Sequence, residues 1–161
     1  MNKQDILNLY NGLQAVSNLP GAKWAYAVAR NITKLQPEIE ALQKAFTAGK
    51  EFLDYNKKRM DLAKKYAVKV DGKPKTVKVG STEEYLIDDE AKFNRELEKL
   101  KKKYKKAIEE RQKEIDDFNE ILKEEAEIDL YMINVDYLPE GITPAQVSAI
   151  MPVIDEKETK A

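Results

Sequence analysis

The chain contains no cysteine and no histidine. Disulfides, thiolate nucleophiles, zinc sites built from those residues and a histidine general base are therefore excluded. With three serines and no histidine, a serine triad of the usual form is excluded too. Glycine is sparse, and Ala48-Gly49-Lys50-Glu51 lacks the spaced glycine and the Ser/Thr of a phosphate-binding loop. No apolar run approaches the roughly eighteen residues of a membrane span. The amino terminus, Met1-Asn2-Lys3-Gln4-Asp5, has no apolar signal core. The expectation is a soluble protein in the cytoplasm of a host cell, with no membrane partner. Excess charge of one sign is also missing: the net charge is −1, so overall charge names no nucleic-acid or membrane partner.

What the chain does have is 42% hydrophobic and 35% charged residues. Helices with one thin apolar stripe and a wide solvated face have that balance. Counting in sevens gives Ala25, Ile32, Ile39, Phe46, Leu53 and Met60 at one heptad position. Val28, Leu35, Leu42, Gly49, Asn56 and Ala63 fall at the other. This predicts one long helix over 21–67, with a seam facing a partner helix. Pro37 predicts a kink or restart, and Gly49 a close-packing site or a break.

A second long helix is predicted over 88–126. Its stripe is Phe93, Leu97, Leu100, Tyr104, Ala107, Arg111, Ile115, Phe118 and Leu122. The spacing slips at Arg111, whose stem can pack while its head reaches water. The fold class expected is therefore mainly α: a long antiparallel, coiled-coil-like helical hairpin in a single elongated domain over 1–161.

The flanking parts follow. Residues 1–20 predict a helix and a turn, capped by Asn2 or Asp5, with Ile6, Leu9, Leu13 and Val16 buried. Trp24 reads as core. Over 68–87, Val68, Val70, Val77 and Val79 alternate with lysines around Asp71-Gly72-Lys73-Pro74. That predicts a small β-hairpin between the arms, with a loop longer than the tightest type and a third short strand over 83–87. Over 127–154, residues 128–135 predict a buried strand. The capping box Thr143-Pro144-Ala145-Gln146 predicts a short helix burying Val147, Ile150 and Met151. Residues 155–161 are a polar tail. In a straight hairpin the late strand has no strand of its own chain to pair with, which points to a partner protein or a second copy, or else to a break of the first helix near Gly49 that folds the tip back. Asn31-Ile32-Thr33 matches a glycosylation acceptor by chance.

Charge is sorted along the sequence. Lys57, Lys58, Arg59, Lys64 and Lys65 on the first arm, and Lys101, Lys102, Lys103, Lys105 and Lys106 on the second, make a basic candidate surface. The plain reading is solvated helix faces. The sharper one is a grip on an acidic protein, with nucleic acid the weaker alternative because few aromatics interleave the lysines. Leu130, Tyr131, Met132 and Ile133 of the late strand are the apolar partner-binding candidates. The acidic stretch over 114–129 lacks the loop spacing of a calcium site. No catalytic residues, cofactor or metal are expected.

One resemblance adds to this. The sequences Asp71-Gly72-Lys73-Pro74, Ile87-Asp88-Asp89-Glu90-Ala91-Lys92-Phe93-Asn94-Arg95-Glu96-Leu97, Glu124-Glu125-Ala126-Glu127-Ile128-Asp129-Leu130, Ile142-Thr143-Pro144-Ala145-Gln146 and Met151-Pro152 are similar to a family of small uncharacterised proteins of tailed phages infecting Gram-positive bacteria. The similarity spans roughly residues 57–154 and brings no catalytic residues. It implies a phage setting. The functional expectation is a non-enzymatic protein-binding module, an inhibitor of a host defence protein. The alternative is a self-associating structural or assembly chaperone protein. In architecture alone, the helix–hairpin–helix order also resembles prefoldin subunits.

Overall fold

The computed structural model describes residues 1–155; the expected tail beyond Asp155 lies outside the described residues. It is mainly helical, with small β-hairpins. The chain divides into two compact units. The first is Met1–Phe46 with the described residues from Asp117 onward; the second is Thr47–Asp116. The expectation over 1–161 was one elongated domain.

The first unit holds the core. Helix α1 (Lys3–Val16) starts at Asn2, whose side chain accepts from the Asp5 N–H at 2.8 Å and satisfies one of the orphan donors of the first turn. Ile6, Leu9, Leu13 and Val16 step by three and four, and all four are buried as the spacing predicts. Gly12 lies on the same side, where α1 meets the short helix α6 (Pro144–Ile150). A Cβ there would stand 2.6 Å from the Ala149 carbonyl oxygen, so only glycine admits this approach.

Helix α2 (Ala22–Ala45) runs through Pro37 without restarting. Proline removes the bond to the Thr33 carbonyl, but both residues are exposed, so water can reach that oxygen. The buried side is Trp24, Ala27, Val28, Asn31, Leu35, Ile39 and Leu42. Trp24 is core, and its indole N–H donates to the Val16 carbonyl at 3.3 Å. Ile133, Ile150, Val153 and Ile154 complete the cluster from the far end of the chain.

The second unit is thinner. Helix α3 (Lys50–Lys65) leads into two hairpins and then helix α4 (Glu90–Lys103). Tyr66 meets Phe93 and Tyr55 meets Tyr104, so α3 and α4 run antiparallel. Strands β1 (Lys69–Val70) and β2 (Lys73–Pro74) join through Asp71 and Gly72, with φ of 51° and 76°. Two successive positive φ values make the tightest hairpin turn, so the longer loop expected here is corrected. The valines do not pair across it either. β3 (Thr76–Val79) turns at Gly80 and pairs with β4 (Thr82–Tyr85), the third strand that the sequence predicted over 83–87. Backbone bonds among Val68, Lys75 and Leu86 tie the two hairpins together.

Further expectations are corrected. The stretch 21–67 is two helices, α2 and α3, separated at Thr47-Ala48-Gly49. Gly49 is extended (φ −64°, ψ 153°) and is the N-cap of α3. The break changes the helical phase, so Leu53 and Met60, expected in the seam, are exposed. At the front of α2 the stripe is rotated by one residue: Trp24 and Asn31 are inside, while Ala25 is exposed. The second stripe survives in full, since none of its nine residues is exposed. Its helix is interrupted only at Tyr104, before α5 (Lys105–Ile121), and not at Arg111. Arg111 is largely buried, with Nη1 at 3.0 Å from Glu114 and the guanidinium over the Phe52 ring.

Another correction concerns the late strand. Residues 126–132 run without turn or bend, but only β5 (Ile133–Asn134) is paired as a strand, parallel to β6 (Ile154–Asp155). The remainder is held by α2 side chains. Asn31 bonds both backbone groups of Tyr131, at 2.8 and 2.7 Å. Lys34 donates to the Asp129 carbonyl and, at 2.8 Å, to its carboxylate. On the side facing α2 the chain supplies its own pairing, so that edge does not call for a second copy. Asn31 is buried, and the glycosylation pattern there is structural. Of the short-helix residues expected inside, Ile150 is buried, but Met151 is exposed in a following turn of 3₁₀ helix.

Candidate interaction surface

The basic candidates cluster on α3, α4 and the start of α5 because helical spacing puts residues three or four apart on one face. That same spacing pairs four of the ten, Lys58, Lys101, Lys105 and Lys106, with acids. Lys101 bonds Glu98 at 2.8 Å, Lys105 lies 3.7 Å from Glu109 and Lys106 3.6 Å from Glu110. Lys65 stands over the Tyr66 ring and Lys103 over Tyr104.

Lys58 is the most engaged. It donates to Asp54 at 2.7 Å and to the Tyr104 hydroxyl, which itself donates to Asp54. The Lys58 bond, then that of Tyr104, holds the Asp54 carboxyl below its usual range; Asp54 first, then Tyr104, raises Lys58. An open groove of about 430 Å³ beside this trio is lined by Lys50, Lys103 and Lys106, but also by Glu51 and Asp54. Mixed charge makes it a poor anion site. Among the described residues, Lys57, Arg59, Lys64 and Lys102 have no ion-pair partner.

Two of these four stand in a pattern. On α3, Leu53, Lys57, Met60 and Lys64 step by four, three and four, which is one face of a helix. Leu53 is 53% exposed and Met60 44%. The opposite side of α3 carries Phe52, Tyr55 and Leu62, which pack within the unit. The face therefore alternates large exposed apolar side chains with cations that make no ion pair among the described residues, although Asp61 lies within one helical turn of both. The sequence reading had the two lysines as candidates and the two apolar residues in a buried seam; the break at Gly49 turns them out to join each other.

The apolar candidates of the late segment separate. Ile133 is fully buried, Leu130 packs against the core and Tyr131 sits edge-on to Tyr26, with Arg30 over its ring. Met132 alone is open, at 48%. Asn31 was missed, although it stands three residues after Val28 and four before Leu35, which puts a polar residue on the apolar stripe. No helix among the described residues is long and apolar enough to cross a membrane.

Comparison with family models, curated proteins and solved structures finds no match. The role of the surface rests on its own chemistry.

Proposed function

We propose that the chain is a non-enzymatic, phage-type protein-binding module that acts by occupying a host protein, such as a defence factor, in the cytoplasm of the host cell. The observation that carries this reading is the outward face of α3. Exposed large apolar side chains in register with unpaired cations suit a partner surface that is apolar at its centre and acidic around it. In this reading the antiparallel α3 and α4 form the arm of a coiled-coil-like hairpin that presents the face. The phage setting rests on the sequence resemblance over roughly residues 57–154. Local ion pairing of Lys58, Lys101, Lys105 and Lys106 weighs against a phosphate grip, because acids within one helical turn offset the charge that polyanions need.

The test is capture from nuclease-treated bacterial lysate with tagged protein. One host protein in stoichiometric amount, unchanged when Lys101, Lys105 and Lys106 are replaced by Gln, is the expected result. Recovery of the bait alone, as homo-oligomers in light scattering, would favour the assembly reading instead.

A further inference from the structure

The segment 126–132 has two edges, and only one is occupied. In extended chain, the N–H and C=O of alternate residues point to opposite sides. Asp129 and Tyr131 turn theirs toward α2, where Lys34 and Asn31 bond them. Residues of even number turn theirs the other way. On that edge the chain start is already laid down antiparallel: Asn2 bridges Glu125, and Ala126 N–H donates to the Met1 carbonyl at 3.0 Å. Beyond Met1 the edge continues along Ile128 and Leu130. Among the described residues, no hydrogen bond reaches the backbone of either. A groove of about 550 Å³ runs there, lined by Met1 and residues 126–130 alone.

The faces of the segment are sorted too. Ala126, Ile128 and Leu130 turn toward the core, while Glu125, Glu127 and Asp129 are exposed. Glu125 already lies opposite Asn2 of the chain start and Asp129 is paired with Lys34, whereas among the described residues Glu127 has no ion-pair partner. We propose that this edge takes an extended segment of a partner protein as an added antiparallel strand, with apolar residues on the core side alternating with Lys or Arg on the side of Glu127. Backbone pairing would supply affinity, and the alternating chemistry would supply selectivity. The surface lies in the first unit and is independent of the α3 face.

The test uses the whole protein and an acetylated, amidated heptapeptide of alternating lysine and valine. Amide exchange by NMR should slow at Ile128 and Leu130 when the peptide is added, and stay unchanged at Tyr131, already bonded to Asn31. Exchanging lysine for glutamate in the peptide, or methylating its valine amides, should each weaken binding about tenfold or more. Replacing Glu127 by Gln should weaken it several-fold without changing the fold. No slowing at Ile128 and Leu130 would overturn the proposal. So would equal binding of the glutamate peptide. Slowing at the two amides with rising protein concentration and no peptide would overturn it in favour of a second copy.

Discussion

The Asn31 side chain copies a strand neighbour for Tyr131, a hundred residues away: it donates to the Tyr131 carbonyl at 2.8 Å and accepts from its N–H at 2.7 Å. A carboxamide carries the same donor and acceptor as a peptide group, so one buried side chain satisfies both backbone groups of a residue that no strand reaches.

Removing it should therefore cost more than its contact area. Asn31→Leu keeps the volume but leaves two backbone groups unpaired, a loss of about 2–4 kcal/mol in urea unfolding. Asn31→Asp should approach wild-type stability at acid pH, where the protonated acid still donates. Burial raises a carboxyl pKa in the folded chain, so that variant should lose stability as pH rises.

Gly12 gives a second test. Gly12→Ala places a methyl group against the Ala149 backbone oxygen and should destabilise by about 1–3 kcal/mol. Adding Ala149→Gly should not restore stability, since the closest atom is backbone. Full rescue would mean that the α1–α6 approach is set by side chains.

Stability should also be uneven. The first unit buries Trp24 and a set of large aliphatic residues, each contributing about 1.5–3 kcal/mol. In the second unit the buried residues are Tyr55, Ala67, Ala107 and Arg111. Hydrogen exchange followed by mass spectrometry should show α1 and α2 exchanging slowest and the two hairpins fastest. Uniform protection across both units would contradict this.

The ion pairs set a pH dependence of small size. Lysine bonds hold Asp54, Asp89, Glu98 and Asp129 below their ordinary values of 3.8 or 4.5. A carboxyl with a depressed folded pKa stabilises the fold above its unfolded value, and that contribution is lost as pH falls through the folded pKa. Lys3, Lys58, Lys92 and Lys101 are raised above 10.5, so theirs is full below that value and lost as pH rises further. The urea midpoint should fall on acidification below about pH 4, and less so in about 1 M salt, because these exposed pairs are screened.

How much of this could be read from the residues depends on whether local pattern or distant contact decides. The first helix, the Trp24 core and the Thr143 capping box are local signals and stand as expected. The second apolar stripe was legible because all nine of its positions keep helical spacing from Phe93 to Leu122. The first stripe misled after Gly49, where four residues outside the helices, Phe46 to Gly49, interrupt it and Leu53 and Met60 are exposed. The pairing of the late segment was not legible. A single asparagine bonding backbone a hundred residues away leaves no periodic trace.

The account's central claim, that the outward face of α3 binds a protein, is tested most directly by the double variant Leu53→Glu, Met60→Glu in the lysate capture. Both side chains are exposed, so circular dichroism and the unfolding midpoint should match wild type. The account predicts that the stoichiometric partner held by wild type is lost by this variant. Equal recovery of that partner by both proteins would contradict it.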